Sequence, residues 1–438
     1  MLSQVVRIQP RQQSYEVAAE AFRAGRFVAC VDDLYGHVGA GAGTLRARAM
    51  LRLNRAAEAY DVLSDIAAGD LDHRERAEVL MLRAVAATRL HRDDRAVEDF
   101  DAARVFVYAS ANAALEAELG SWEMSRFFGL GLFDDVERVA DHVRDIQPFY
   151  ERGSTHFMPL EHSRARAFEY LGVVAAAKER YTLQAAMLRA ALSELNHPDA
   201  RDVWYESMLL ANLSFFVREF DSPEEALFVR ERYAQIDWIP ELAPQRFQIL
   251  QSLGWCSALR GDHIGAFRDL RAAASMAPLA PQKIIATLDR AYLARELNQG
   301  FVAREELDHA ESLGADVDWN AVPGEHIRAL LHLAEGLATA APARARHLFA
   351  KYRALKAKLP PQFLARFDRR ARAEEVIADA TIARAEGELA RASTLFLEGF
   401  DLWEALGYRW RAALAACELG ELGAGDTFVA YARREAAL

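Results

Sequence analysis

The sequence predicts an all-α fold assembled from short helical hairpins in series, and three observations carry that prediction. Apolar residues recur at three- and four-residue spacings from about Ser14 to the end, and no stretch alternates apolar and polar residues around a hairpin turn. Helix-stopping residues punctuate the chain at short intervals, and between the stops a rhythm of small and large residues returns.

Taken in order, the stops are Ala24-Gly25-Arg26, Asn54-Arg55, His91-Arg92-Asp93-Asp94, the run 129–133, Asp221-Ser222-Pro223, Gly261-Asp262, Asn298-Gln299-Gly300 and Glu386-Gly387-Glu388. Each reads as one helix ending and another beginning. Ser222-Pro223-Glu224-Glu225 is the clearest start, with serine as N-cap, proline at the first helical position and Glu225 placed for a capping box. The rhythm is fullest in LGWCSALRGDHIGAFRDLRAAASMAP, residues 253–278. There Ala266, Leu270 and Ala273 are spaced A-x3-L-x2-A, Pro278 marks a stop, and Leu253 and Gly254 lie thirteen and twelve residues before Ala266. Ala96-Phe100-Ala103, Ala303-Leu307-Ala310 and Ala392-Phe396-Gly399 repeat it, and Ala56-Tyr60-Leu63 and Ala345-Phe349-Tyr352 keep its first part. Small residues at these places let two helices approach closely, and the large residue fills the crossing.

This spacing resembles the tetratricopeptide repeat family over most of the chain, with copies roughly 35 to 47 residues apart. In the best unit Ser257 stands where the family pattern has a tyrosine. The resemblance implies a right-handed α-solenoid of about nine to eleven TPR-like hairpins. They divide by motif strength into N-terminal repeats over 1–150, central repeats over 151–320, and C-terminal repeats over 321–438. A second resemblance lies in LFLEGFDLWEALGYRWRAALAACELGEL, with Trp403, Gly407, Tyr408, Arg409 and Trp410. It is similar to the repeat region of maltose-activator and LuxR-type bacterial regulators, without their phosphate-loop lysine motif or a helix-turn-helix.

Composition bounds the function. The 438 residues carry 52% hydrophobic and 27% charged residues with a net charge of −11, which is not the balance of a general nucleic-acid binder. Cys30, Cys256 and Cys417 are far apart, form no CxxC, and read as small buried core residues of a reducing compartment. The N-terminus lacks the apolar core of a signal peptide and no stretch is long and apolar enough for a bilayer, so a cytoplasmic location is expected, with no membrane contact.

Several stretches imitate chemistry. The glycine-rich run 38–44 lacks both a preceding strand and a lysine, so it reads as an inter-repeat linker. His197-Pro198-Asp199 reproduces a co-chaperone tripeptide, yet a proline after one helix and an aspartate capping the next account for it. Glu194-x-x-His197 and Glu306-x-x-His309 have di-iron spacing without the further glutamates such a site needs. No nucleophile elbow or HExxH is present. No catalytic residue, metal or cofactor is therefore assigned, and a non-enzyme is expected.

Two surfaces remain. A solenoid leaves its concave face, lined by the first helix of each hairpin, free to bind. The repeat register places Asn212, Phe215 and Arg218 there, followed by Gln248, Gln251 and Trp255, then Asp289, Tyr292 and Arg295. In peptide-binding members of the family an asparagine at the place of Asn212 holds a ligand backbone. The mixture suits an extended polypeptide, although inter-repeat packing of Phe215, Trp255 and Tyr292 explains the aromatics equally well. The second surface is the run from Arg344 to Arg372, with ten basic residues against Asp368 alone, including Lys356, Lys358, Arg366, Arg369, Arg370 and Arg372. It suits an acidic partner, or nucleic acid near DNA if the chain belongs to a regulator; otherwise it is a helix face opposed by Glu374 and Glu375. The expected partner is a protein or peptide segment held by a scaffold or regulatory sensor. Nucleic acid is expected only through a separate subunit. Terminal repeats and the aromatic cluster of Trp403, Tyr408 and Trp410 leave a homo-oligomer open.

Overall fold

The structure, a computed structural model, describes residues 10–37, 39–147, 156–220, 223–322, 324–359 and 369–436. Among them are 22 α-helices and no strand. They follow one another as α1 (Pro10–Arg23) and α2 (Phe27–Asp33), α3 (Ala40–Arg52) and α4 (Ala56–Ala67), α5 (His73–Arg89) and α6 (Asp93–Ser110), α7 (Ala113–Gly129) and α8 (Phe133–Asp145), then α9 (Leu160–Ala177) and α10 (Tyr181–Glu194). The series continues with α11 (Val203–Phe220) and α12 (Pro223–Gln235), α13 (Ala243–Leu259) and α14 (His263–Met276), α15 (Ala280–Glu296) and α16 (Gly300–Ala315), and α17 (Arg328–Leu337) and α18 (Pro342–Lys356). It ends with α19 (Arg369–Ala385) and α20 (Leu389–Ala405), then α21 (Arg409–Glu421) and α22 (Asp426–Ala436). The fold is all-α and built of helical repeats.

The repeat shows most plainly in its turns. Among the described residues eight hairpins join their helices through the same three-residue turn centred on a left-handed residue, Gly25, Asn54, His91, Gly131, Glu179, Gly261, Asn298 or Gly387, with φ from 56° to 82°, and the longer joint of α21 and α22 has Gly423 left-handed too. In each, the next residue's N–H reaches back five residues to a carbonyl of the first helix, as in Arg26 to Ala21, Arg92 to Ala87, Asp262 to Ser257 and Glu388 to Ala383, at 2.8–2.9 Å. This closes the first helix with a Schellman-type cap. The same residue's carbonyl then accepts the first bond of the second helix, as in Ala96 N–H to Arg92 and Ala266 N–H to Asp262. One three-residue device thus ends one helix and starts the next.

Close crossings explain the small residues. A Cβ on Gly254 would lie 2.8 Å from Leu270 Cγ and 3.4 Å from the Ala266 carbonyl oxygen, the partners that the 253–278 rhythm assigns to it. A Cβ on Gly172 would likewise meet Met187 and the Gln184 carbonyl oxygen. The missing tyrosine at Ser257 is compensated from α12, since Arg230 donates to Ser257 Oγ at 3.2 Å and to Asp269 at 3.0 Å. Successive first helices also pack side by side: α3, α5, α7 and α9 in sequence, and α15, α17 and α19 in sequence.

The contacts group the chain into two compact units, 1–213 with 239–242, and 214–238 with 243–438, so the division falls inside α11.

Three local readings are corrected. The glycine-rich run is no linker: residues 40–44 form the first turn of α3, and a Cβ on Gly43 would come within 2.1 Å of Ile66 Cδ1, so its glycine serves a crossing with α4. The cap of α11 is Asp202, whose carboxylate accepts from Tyr205 N–H at 2.9 Å, and Asp199 lies in a 3-10 turn before it. Cys30 and Cys256 are buried as expected, but Cys417 on α21 is exposed, near Glu421 and Glu296. The capping box at Ser222, and Val38 of the glycine-rich run, lie outside the described residues.

Candidate functional site

In the second unit the first helices bring most of the nominated stripe together. Trp255 on α13 lies against Tyr292 on α15, ring centroids 5.6 Å apart, and against Trp410 on α21 at 6.1 Å with rings nearly parallel. Gln251, one turn before Trp255, donates to Asp289 at 2.7 Å. Burial pushes the Asp289 carboxyl up, while that hydrogen bond and the charge of Arg218 temper the rise. Two guanidinium groups lie over the Phe215 ring, Arg218 at 4.8 Å and Arg370 at 4.3 Å. Arg295 is exposed and lies 4.9 Å over the Tyr292 ring. Gln248 is partly buried on α13, and Asn212 is partly buried on α11 in the part that groups with the first unit.

The basic run and this stripe, read as separate surfaces, meet at Arg370. Its side chain, 17% exposed, pairs with Glu374 at 3.2 Å as well as covering Phe215, and Glu374 also takes Arg328. Nearby, Glu219 is fully buried and accepts from Arg411 at 2.7 and 3.0 Å and from Arg218 at 2.6 and 2.9 Å. Burial alone would raise the Glu219 carboxyl, but Arg411 and Arg218 hold it at about 2. Along the rest of the run, Lys356 pairs with Glu375 at 2.5 Å, Arg372 with Glu398 at 2.8 Å, Arg344 with Glu311 at 2.9 Å, and Arg346 with Asp379 and Glu386. The run is therefore largely matched by acids of α16, α19 and α20. Lys358 and Arg369 are exposed, and Arg366 lies outside the described residues.

The C-terminal aromatics also turn inward. Trp403 and Tyr408 are 2% and 0% exposed, their rings touch at 5.3 Å, and Arg411 lies over both Trp403 and Trp410. Trp403 and Tyr408 thus pack within the chain's own last repeats, the second of the two alternatives the sequence left open, while Trp410 is partly buried.

The first unit holds a constellation that the sequence reading passed over. On α3, α7 and α9, pairs four apart line one recess, Arg48 and Arg52, Glu118 and Trp122, His162 and Arg166, and α5 adds Leu82 and Arg89. The recess is narrow, with a cavity volume of about 30 Å³, and opens to solvent. At its base Arg48, itself 5% exposed, donates to Glu78 at 2.9 and 3.3 Å and to Glu118 at 2.8 Å, while the buried His156 lies 2.6 Å from Glu118. Burial would raise Glu118, and the Arg48 charge with the Arg48 and His156 hydrogen bonds outweighs it, holding the carboxyl well below its usual range. Beside this base, Asp202 accepts from Arg52 at 3.1 Å and meets His162 at 3.2 Å. Arg52 lies 4.2 Å over Trp204, and Arg166 lies 3.9 Å over Trp122.

The signal for this recess was present as charged and aromatic residues at i and i+4 on consecutive first helices, where repeat packing by itself asks for apolar residues. It was missed because motif strength drew attention to the central repeats. Among the described residues no group of three histidine, cysteine, aspartate or glutamate side chains is placed to hold a metal, and no helix is long and apolar enough to cross a membrane. Glu306 of the di-iron spacing pairs with Arg290.

No protein-family model matches the chain, and no curated protein does. Solved structures do resemble it. A Rap protein complexed with competence and sporulation factor is 13% identical, with 82% of this chain and 99% of that one covered at a TM-score of 0.41. The apo form of the quorum sensor NprR from B. thuringiensis is 12% identical, covering 94% and 98% at 0.43. Yeast Tom70 is 13% identical, covering 97% and 90% at 0.30. At such scores these likenesses decide nothing about function, and the repeated turns and crossings described above make this chain an all-α helical-repeat protein.

Proposed function

We propose that this chain is a non-catalytic helical-repeat protein that holds an extended peptide or protein segment against the inner faces of its first helices, as a scaffold or regulatory sensor. The observation that carries the reading is chemical. Those faces present guanidinium groups stacked on tryptophans, amides and half-buried aromatics, where pure packing would be served by Leu and Ala. Stacked guanidinium and indole groups offer hydrogen bonds and apolar contact at little entropic cost, the combination that recognises polypeptide. Of the two nominated surfaces, the stripe of Gln251, Trp255, Asp289 and Tyr292 keeps this character. The basic run loses support as a docking face because its charges are matched internally. The regulator setting implied by the C-terminal resemblance gains no observation, since Trp403, Tyr408 and Trp410 are spent on packing.

Selection of randomised heptapeptides on the full chain, followed by hydrogen–deuterium exchange with an enriched peptide, tests the reading. Enrichment with protection confined to α3, α5, α7, α9, α13 and α15 supports it. Failure to enrich any peptide, or protection on the second helices of the hairpins, would remove it.

A further inference from the structure

The connector before α9 reaches further than a link between two hairpins needs to. Fourteen residues, 146–159, separate α8 from α9, where packed helices are usually joined by roughly 2 to 8. The last of them do not stay beside those two helices. His156, Phe157 and Met158 lie across the first helices of the unit, from α7 back to α1.

Each of the three has its own seat. The His156 side chain is wholly buried, with Nε2 2.6 Å from a Glu118 carboxylate oxygen on α7 and Nδ1 4.0 Å from Glu78 on α5. A carboxylate can only accept, so Nε2 is the donor, and Nδ1 has no hydrogen-bond partner among the described residues. Phe157, partly buried, packs on the edge of the unit's core, meeting Phe22 of α1 edge-on with centroids 5.4 Å apart. The guanidinium groups of Arg23 and Arg48 lie over its ring at 5.6 and 5.8 Å. Met158 forms part of the wall of the narrow recess, with Trp122 of α7 and Arg166 of α9. These are contacts of recognition more than of packing. A buried ring nitrogen without a partner costs free energy, and a position that only filled space would carry an apolar residue.

We propose that His156-Phe157-Met158 is an internal occupant of the first unit's inner face, an autoinhibitory strap that a partner segment must displace in order to bind there. This rests on the polypeptide-binding reading above. Because the strap belongs to the same chain, it acts at a high effective concentration and weakens every competing segment. The helix behind it does not depend on it: α9 starts at Leu160 after Pro159, whose ring fixes φ at −70° and whose carbonyl accepts from His162 N–H. The three residues can leave while α9 stays formed. A segment that replaces them offers a hydrogen-bond donor to Glu118 and an aromatic ring to Phe22 and the two guanidinium groups.

Thiol labelling and peptide binding on the full chain test it. In Met158→Cys combined with Cys417→Ser, the new thiol and the buried Cys30 of the same unit are labelled with a maleimide under native conditions and followed by mass spectrometry. A strap that detaches exposes the new thiol by local opening, roughly 10-fold or more faster than Cys30, whereas a core position labels only when the unit opens. A heptapeptide enriched on the chain raises that rate further, because it keeps the strap off the face. The same peptide binds His156→Ala/Phe157→Ala roughly 10-fold or more tighter than wild type, since the internal competitor is weakened. Circular dichroism confirms that the double variant is as helical as wild type, and the labelling decides alone if it does not fold. Labelling in step with Cys30, a rate that the enriched peptide leaves unchanged, or equal affinity for wild type and the double variant overturns the strap. Protection confined to α13 and α15 overturns it too, and leaves the polypeptide reading standing. Peptides enriched only on the double variant support the strap and show the face to bind once it is cleared. If the new thiol labels early and neither protein enriches a peptide, both readings fall, because the strap then guards nothing.

Discussion

At the scale of single residues, the two units rest on buried ion clusters whose value depends on every partner being present. Among the described residues Arg48 is the only cation hydrogen-bonded to both Glu78 and Glu118. Arg48→Met leaves two buried carboxylates without it and should cost about 3–5 kcal/mol, read as a fall in the thermal midpoint. Adding Glu78→Gln and Glu118→Gln should recover part of that loss, because the uncompensated charge, more than the missing contact, is what destabilises. An equal or larger loss in the triple variant would contradict this account. Glu219 gives a pH signature. Its folded value of about 2 lies below the 4.5 of an ordinary glutamate. The stabilisation is therefore present above about pH 4.5 and is lost as pH falls from there toward 2, on the order of 3 kcal/mol in full. Urea midpoints measured between pH 6.5 and 3 should show this decline, and Arg411→Gln should start lower and fall less steeply.

At the scale of elements, the repeated unit is as much a turn as a pair of helices. Its middle residue is left-handed in eight hairpins, yet only four of the eight are glycine. An L side chain there costs about 1 kcal/mol or more. His91→Gly should therefore raise the midpoint by a degree or more, and Gly131→Ala should lower it. If both substitutions shift stability in the same direction, the turn is not held in the conformation described. At the crossing, Gly254→Val puts branched bulk against Leu270 and the Ala266 carbonyl, and a loss of about 2 kcal/mol or more is expected. The stops at Gly25, Asn54, His91, Gly261, Asn298 and Gly387 were legible in the sequence because a turn of this kind needs a residue that tolerates positive φ. Glu179 was not, since nothing about glutamate announces a left-handed turn.

At the scale of the molecule, the second unit is tied by contacts between residues far apart in sequence. Glu219 on α11 and Arg411 on α21 are 192 positions apart, and Trp255 stacks on Trp410. Arg411→Gln should therefore speed amide exchange at both 214–220 and α21, whereas loss of a local contact would affect α21 alone. These ties also alter the meaning of the nominated residues. Phe215, Trp255 and Arg370 each take part in a packed cluster, so a deletion there would test stability together with binding.

The sequence by itself determined the all-α class, the hairpin series, most of the turn positions and the close pairing of Gly254 with Ala266 and Leu270. All of these follow from local periodicity and from residues whose backbone preferences or small size act within one hairpin. Only the tertiary structure decided which charges are matched. The sequence already set Glu374 and Glu375 against the basic run from Arg344 to Arg372, whereas Glu311 before it and Asp379, Glu386 and Glu398 after it are brought beside it only by helix packing. Arg52, Arg89 and Arg166, which lie 37 and 77 positions apart along the chain, are gathered in the same way. They line one recess because consecutive first helices pack side by side, and that proximity is set by how repeats stack, which no local pattern encodes.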